Sequence, residues 1–282
     1  ATLGAAFVDE LNSDSPKSVL ISARTVEQMS AEFPTALQAL RESLDAGRTI
    51  LVGGEYEELP LPLCSLESIL ENCQHGLEIY QQLLGHRPVV FGRRHYGLTP
   101  VLPQILDKLG FTGALHATLD DGQFPQPDEA KVFWEGIDGS TIEAFGRVPI
   151  DASQSETFLY FADRLGDTMN LDHLATVCLA HWPGQAAIWC EDLRRIARYV
   201  PVLGKFATLA EYLQETDYAA HGGRFDVDEY RPPYLRQAVL GKSTAPISQW
   251  VDRNRRAAER SAERMAQSLR RILKSDSGDV AI

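Results

Sequence analysis

The 282-residue sequence has only four cysteines, and none of them lies in a Cys-x-x-C pair. Their wide spacing matches no disulfide or zinc-binding pattern, so we expect reduced, mostly buried thiols in a cytoplasmic protein. The chain also lacks a run of about 18 apolar residues, which is the length that a helix needs to cross a membrane. The first residues, ATLGAAFVDE, have neither the basic nor the apolar region of a signal peptide. These absences predict neither a membrane span nor secretion.

Basic residues are scarce, because 27 Lys and Arg stand against 39 Asp and Glu and give a formal charge of −12. A protein that binds nucleic acid needs the opposite balance, since its surface has to neutralise phosphates. The sequence therefore predicts that nucleic acid is not a partner. The hydrophobic fraction of 44% is ordinary for a chain that buries a large core.

Short apolar segments alternate with amphipathic helical patterns along most of the chain. The predicted strands are TILVGG, PVVFG, FTGALHATL and ATVCLAHW. Between the first two, an apolar stripe from Leu66 to Leu84 predicts a helix that is capped by Ser65 and ended by Gly85. This alternation is typical of parallel βαβ units, and strands that are apolar throughout suit a sheet covered on both faces. A barrel and an open sheet fit this pattern equally well.

The predicted domain organisation has three parts. Residues 1–216 form an α/β domain, and residues 217–245, which are rich in helix and strand breakers, form a linker. Residues 246–282 contain an Arg-rich helix at about 247–274, with apolar residues at near-heptad spacing. We expect its basic face to be solvated or to contact the domain, rather than to read nucleic acid.

A β-hairpin is predicted in the segment EAKVFWEGIDGSTIEAF, because an Asp-Gly turn lies between two runs that favour strands. Trp134 and Glu135 in the first run, and Glu143 in the second, are unusual in a hairpin that is only structural. Two alternatives are therefore open at this point, a plain hairpin or part of the wall of a site.

Polar and aromatic residues follow each predicted strand, at the edge where parallel α/β proteins place their sites. They are Glu55, Tyr56 and Glu58 after the first strand, Arg94 and His95 after the second, Asp120 on the third, where alternation places it on one face with His116 and Thr118, and His181 and Trp182 at the end of the fourth. This mixture is typical of sugar sites, where aromatic rings contact the sugar faces and paired carboxylates do acid/base chemistry. The structural alternatives are solvated glutamates, arginines that pair with nearby carboxylates, a core histidine at His116, and a His-Trp plug at the end of a barrel.

A family resemblance is carried by three segments, FWEGIDGSTIEAF, YGLTPVLPQILDKLGF and GGEYEELPLPLCSLESIL. The first resembles the WWEGIDGS segment of bacterial α-mannosidases of glycoside hydrolase family 38. The second resembles the helix before that segment, and the third is similar to the preceding strand and helix. Together they cover roughly residues 48–150. The resemblance implies a (β/α)7 barrel of the glycoside hydrolase and deacetylase type, which could be incomplete here, followed by a C-terminal helical segment.

The same resemblance implies retaining hydrolysis of α-mannosides, with zinc held by an N-terminal His-x-Asp motif and by the nucleophilic Asp. When the second segment is laid on the family pattern, the place of that Asp falls at Arg94. The resemblance also implies that the family's later Gly-Asp segment, which carries the acid/base, lies near Ala180-His181, where His181 replaces the Asp. The His-x-Asp motif is absent, and the first barrel strand that would carry it is expected to be missing as well. An arginine has donors only, so it neither attacks a sugar nor binds zinc. We therefore predict no metal ligands and no cofactor.

Three functions remain open from the sequence. The chain could hydrolyse glycans with residues other than the family's own, with Glu55, Glu58 or Asp120 as carboxylates and His181 as the acid/base. It could instead be an inactive barrel that binds carbohydrate or acts as a scaffold. A carbohydrate deacetylase is the third function, disfavoured because its His-x-x-x-His metal ligands are absent.

In each of the first two functions the predicted partner is a carbohydrate, and further domains of a longer chain could be partners too. The residues expected to contact the sugar are Arg94, His95, Tyr56, Trp134 and Trp182. The guanidinium fork of Arg94 also suits the carboxylate of a uronic acid.

Overall fold

The computed structural model describes residues 3–120, 124–126, 128–200, 204–217, 222–231 and 234–276. The strands are β1 (Lys17–Leu20), β2 (Thr49–Gly53), β3 (Val90–Phe91), β4 (Gly113–Leu115), β5 (Lys131–Glu135), β6 (Thr141–Phe145), β7 (Ile150–Asp151), β8 (Leu179–Ala180) and β9 (Gly222–Arg224). The helices are α1 (Ala5–Asn12), α2 (Ala23–Glu32), α3 (Pro34–Asp45), α4 (Leu66–Leu84), α5 (Leu102–Lys108), α6 (Phe161–Leu171), α7 (Ile188–Ala197), α8 (Leu209–Glu215), α9 (Tyr234–Leu240) and α10 (Pro246–Asp276).

Seven of the strands form one sheet in the order β1-β2-β3-β4-β6-β5-β9. Neighbouring strands are parallel except in the β5–β6 hairpin, where Trp134 lies opposite Ile142. The described strands leave this sheet open, with β1 at one edge and β9 at the other. The predicted α/β architecture with a C-terminal helix is thus confirmed, as an incomplete barrel rather than a closed one.

Apolar side chains cover both faces of the sheet, as the apolar strands predict. On one face Phe91 and Trp134 pack with Leu77 of α4 and Leu106 of α5. On the other face the side chains of Val52, Val90, Leu115 and Phe145 pack with Leu209 and Leu213 of α8. Because both faces are buried, the polar residues that follow the strands are left at the carboxyl edge of the sheet.

The helix boundaries follow local sequence signals. The hydroxyl of Ser65 accepts a hydrogen bond of 3.3 Å from the backbone N–H of Ser68 and caps the start of α4. Gly85 then ends α4 with a φ of +73°, a conformation that glycine adopts at little cost. The C-terminal helix begins at Pro246 and runs to Asp276, close to its predicted limits.

Four segments differ from the sequence expectations. A strand that the sequence did not predict, β1, pairs in parallel with β2. Its sequence KSVL is only partly buried, so it lacks the apolar run of a central strand. The third predicted strand is limited to Gly113–Leu115. The fourth is limited to Leu179–Ala180, which pairs with β7 outside the main sheet. Part of the predicted linker forms β9, which pairs with β5.

No helix in the described parts of the chain is both long enough and apolar enough to cross a membrane.

Candidate functional site

The loop that follows β3 is held in place by the carboxylate of Glu58. One carboxylate oxygen accepts the backbone N–H of Arg94 at 2.8 Å, and the other accepts that of His95 at 2.7 Å. Hydrogen bonds to an ionised acceptor are stronger than neutral ones, so this bidentate contact fixes the backbone of both residues. The loop after β2 thereby positions the loop after β3.

A second carboxylate, that of Asp120, holds the side chains of the same two residues. Its Oδ1 lies 3.3 Å from Nε of Arg94, and its Oδ2 lies 2.5 Å from Nδ1 of His95. The backbone N–H of Asp120 also donates to the carbonyl of Arg94 at 3.1 Å. The loops after β3 and β4 are therefore joined through both backbone and side chains.

The guanidinium of Arg94 stacks on Trp182, with its carbon 4.3 Å from the ring centroid. A cation over the face of an indole is attracted by the ring quadrupole. The side chain of Arg94 is 42% exposed and that of His95 is 54% exposed, and Trp182 as a whole is 41% exposed. We call the cluster of Glu58, Arg94, His95, Asp120 and Trp182 the Arg94 surface.

Two edges of the Arg94 surface are free to meet a ligand. Within the described parts of the chain, the terminal nitrogens Nη1 and Nη2 of Arg94 have no hydrogen-bond partner, and neither does Nε2 of His95. Both carboxylates, in contrast, already use their two oxygens on Arg94 and His95. The surface can therefore offer hydrogen-bond donors, an imidazole nitrogen and an aromatic ring.

The neighbouring Arg93 has a different environment, because it is completely buried. It donates to the backbone carbonyls of Leu59, His95 and Gly97 at 2.6, 2.8 and 3.2 Å, and its Nη1 lies 3.2 Å from Oε2 of Glu55. Gly97 has a φ of +147°, and a Cβ there would lie 2.8 Å from the guanidinium. Glycine lets the backbone approach this closely.

Glu55, one of the predicted catalytic carboxylates, is the buried partner of Arg93. Burial raises the pKa of Glu55 to about 7, although the charge of Arg93 opposes that shift. Asn72 donates to its Oε1 at 3.1 Å. The structure thus places Glu55 in an interior ion pair beneath the loops, away from the exposed edges of the Arg94 surface.

His181 lies in another cluster, between α1 and α7. Its Nε2 is 2.7 Å from Oε1 of Glu10, which also accepts from Arg194 at 3.3 Å. Burial alone would raise the pKa of Glu10, but the hydrogen bonds and charges of His181 and Arg194 lower it. Sequence reasoning missed Glu10 and Arg194, and no local signal links them to His181, since Glu10 is 171 residues away from it.

Tyr56 also lies apart from the Arg94 surface, over α2 and α4. Its hydroxyl donates to Glu27 at 2.8 Å, and this hydrogen bond is the main reason that the pKa of Tyr56 is raised. Its ring centroid lies 4.4 Å from that of His75.

Trp134 is completely buried and packs against His116, with ring centroids 4.6 Å apart. The Nε2 of His116 lies 2.7 Å from the hydroxyl of Tyr230, and its ring stacks on Phe225. Burial lowers the pKa of His116 to about 3. His116 is therefore a neutral core histidine, which is one of the alternatives that the sequence left open.

The β5–β6 hairpin makes structural contacts. Glu143 lies 3.1 Å from Nζ of the buried Lys131, which also donates to the carbonyls of Leu213 and Asp217 at 2.8 and 3.0 Å. The lysine thus binds the C-terminal end of α8, where carbonyls lack helical partners. The burial of Trp134 and the ion pair of Glu143 with Lys131 both indicate that the hairpin is structural.

Zinc, which the family resemblance implies, does not fit the residues of the Arg94 surface. A guanidinium has donors only, so Arg94 cannot be a ligand, and Asp120 is already bonded to two cationic or donor groups. Within the described ranges, no group of three or more His, Cys, Asp or Glu side chains could hold a metal ion.

Comparison with known proteins identifies the family. The family model of the glycosyl hydrolases family 38 N-terminal domain matches residues 20–234. No curated protein matches the sequence.

Solved structures share the fold at low sequence identity. The α-mannosidase from Enterococcus faecalis V583 is 16% identical with a TM-score of 0.54, over 74% of this chain and 25% of that one. The 4-α-glucanotransferase from Thermococcus litoralis is 17% identical with a TM-score of 0.51, over 78% of this chain and 35% of that one. A protein from Mycobacterium smegmatis assigned as a polysaccharide deacetylase is 14% identical with a TM-score of 0.50, over 76% and 75% of the two chains.

The chain therefore spans about a third or less of the first two of these proteins, and these likenesses show the fold alone. The family match covers most of the sequence and agrees with the resemblance carried by the segments between residues 48 and 150. The chain belongs to the glycosyl hydrolase family 38 N-terminal domain family.

Proposed function

We propose that this domain binds an acidic glycan at the Arg94 surface and does not use the two-carboxylate hydrolysis of retaining glycosidases. Family membership makes it a glycosidase-like domain, for which a glycan is the natural ligand. The observation that carries the proposal is the environment of Arg94. Its half-exposed guanidinium stacks on Trp182, and its terminal nitrogens donate no hydrogen bond to any described residue.

A uronic acid residue fits this arrangement better than a neutral sugar. The planar fork of an arginine binds a carboxylate through two parallel hydrogen bonds, which give both strength and orientation. A sugar ring can stack on the exposed part of Trp182 while its carboxylate meets Arg94. Asp120 holds Nε of Arg94 at 3.3 Å, so the side of the guanidinium that carries the terminal nitrogens is the side left for a ligand.

Retaining hydrolysis requires two carboxyl groups about 5–5.5 Å apart, one of them free to attack the sugar. Glu58 and Asp120 already use both of their oxygens in holding Arg94 and His95. Glu55 is buried against Arg93. The family resemblance places Arg94 where the nucleophile would stand, which supports loss of that mechanism. The side chain of His181 is paired with that of Glu10.

The test is a pair of assays on one purified sample. Hydrolysis of aryl α-mannosides and related aryl glycosides is measured with and without added zinc, and the zinc content is determined by elemental analysis. We expect no turnover under either condition. In the same preparation, a glycan array should show binding to uronate-containing glycans and weak or no binding to neutral mannans. Turnover that a chelator abolishes would contradict the proposal.

A further inference from the structure

We propose that the Arg94 surface also cleaves uronate-containing glycans by β-elimination, with His95 as the base. This inference rests on the proposed binding of an acidic glycan at that surface. β-Elimination needs a group that neutralises the carboxylate and a base beside it that removes the proton on the adjacent carbon. The structure has a cation and an imidazole side by side, on the two oxygens of the Asp120 carboxylate.

The pairing with Asp120 makes His95 suitable as a base. Its Nδ1 lies 2.5 Å from Oδ2 of Asp120, so the neutral imidazole carries its proton on Nδ1 and presents the lone pair of Nε2. A carboxylate behind an imidazole fixes its tautomer and stabilises the imidazolium that forms when the other nitrogen takes a proton. Nε2 has no partner among the described residues, and the side chain is 54% exposed.

The position of Arg94 complements that base. When its terminal nitrogens bind the uronate carboxylate, they offset the negative charge that develops on that group as the neighbouring proton leaves. Glu58 fixes the two backbones at 2.8 and 2.7 Å, while Asp120 fixes the two side chains. The cation and the base are therefore held together before a substrate arrives, which is the preorganisation that catalysis requires.

The chemical step consumes no water, metal or oxidant. Nε2 of His95 takes the proton from C5 of the uronate. The electron pair of that C–H bond forms the C4=C5 double bond, and the bond between C4 and the glycosidic oxygen breaks. The leaving oxygen takes up the proton that His95 carries, so the imidazole returns to its neutral state. The products are an unsaturated uronate and a shorter glycan that ends in a hydroxyl group.

The test uses the full 282-residue chain with polygalacturonate and with alginate as substrates. The new double bond is conjugated with the carboxylate, so its ultraviolet absorbance reports elimination directly. We expect absorbance to rise with the native chain and the rate to fall at least ~100-fold in His95→Gln, as for loss of a general base. Asp120→Asn should slow the reaction and also shift its pH profile, which a purely structural role would not do. Circular dichroism checks that each variant is folded.

Four outcomes are possible, and they distinguish failure of this inference from failure of the proposed function. Binding by calorimetry without any rise in absorbance would overturn β-elimination and leave the binding site intact. Cleavage with incorporation of oxygen from ¹⁸O-labelled water would also overturn it, because that result means hydrolysis. If neither uronate polymer binds, the proposed function fails first and the elimination fails with it. A rise in absorbance that depends on His95, without ¹⁸O incorporation, supports the inference.

Discussion

Arg93 and Arg94 are neighbours in the sequence but differ in burial and in hydrogen bonding. Arg93 is completely buried and uses its donors on carbonyls and on Glu55. Among the described residues, Arg94 donates hydrogen bonds only through its backbone N–H and Nε, and its side chain is 42% exposed. The difference shows that two adjacent arginines after one strand can have different roles. One residue fixes the loops from inside, and the other presents its charge to a ligand.

Two histidines, His116 and His95, differ in burial in the same way. His116 is buried among aromatic rings, and burial keeps it neutral and lowers its pKa to about 3. His95 is 54% exposed and lies against Asp120. In both pairs the surroundings, rather than the residue type, separate a structural side chain from a candidate functional one.

The largest expected effect on stability comes from Arg93→Met. This change leaves the carboxylate of Glu55 buried without its counter-ion, so we expect a loss of about 3–5 kcal/mol in the free energy of unfolding. Urea denaturation measures it. The double variant with Glu55→Gln should lose less than the single variant, because the unpaired charge is gone. Equal losses in both would show that the ion pair is not what Arg93 supplies.

The next largest effect is a change of stability with pH, to which the buried His116 and Glu55 contribute with opposite signs. The folded pKa of His116 is about 3 against an ordinary value of 6.5, so its contribution to stability is present above pH 6.5 and is lost as the pH falls. The folded pKa of Glu55 is about 7 against 4.5, so its contribution is present below pH 4.5 and is lost as the pH rises through 7. Each contribution changes by up to about 1.4 kcal/mol per pH unit.

Between pH 6.5 and 4.5 these two contributions oppose each other in the native chain. We therefore expect His116→Gln to become more stable, relative to the native chain, as the pH falls through this range. Glu55→Gln should become relatively less stable. Unfolding free energies at three pH values are enough to measure both slopes. Parallel curves for all three proteins would contradict the assigned environments.

A smaller effect is expected from Glu58→Gln. An amide has one acceptor oxygen, so only one of the two backbone N–H groups of Arg94 and His95 keeps its hydrogen bond. The loss should be about 1–2 kcal/mol. Glu57→Gln is the matched control, because Glu57 forms partly exposed ion pairs with Arg24 and Arg253, and losing them should cost under about 1 kcal/mol. Thermal denaturation compares the two, and equal costs would show that Glu58 does not hold the loop.

The smallest effect on stability is expected from Arg94→Gln. Its ion pair with Asp120 is partly exposed, so the loss should stay under about 1 kcal/mol. The same urea denaturation as for Arg93→Met measures it. A loss as large as that of Arg93→Met would mean that Arg94 is structural too.

The sequence predicts much of the fold because its signals are local. The apolar stripe of α4 with Ser65 and Gly85, and the Asp-Gly turn of the hairpin, each specify an element without reference to distant residues. The sequence does not predict β1 and β9, because neither has a strong apolar pattern. They are strands because they pair with β2 and β5.

The candidate site is predictable only in part. Carboxyl ends of parallel strands meet at one edge, which brings Arg94, His95 and Asp120 together as the strand order implies. Nothing in the segment GGEYEELP shows that Glu55 faces the interior while Glu58 holds a loop, because irregular segments have no periodicity. His181 and Trp182 are neighbours after β8, but the side chain of His181 pairs with Glu10 whereas that of Trp182 contacts Arg94, and nothing in the sequence predicts this difference.

The central claim is that the exposed guanidinium of Arg94 binds a carboxylate, and calorimetric titration with a galacturonate oligomer tests it most directly. The methyl ester of the same oligomer is the control ligand, because it keeps the sugar and removes the charge. We predict that the native chain binds the acid in preference to the ester and that Arg94→Gln loses this preference, with the acid bound at least ~10-fold more weakly, or about 1.4 kcal/mol. Equal binding of acid and ester by the native chain, or an unchanged preference in Arg94→Gln, would contradict the account.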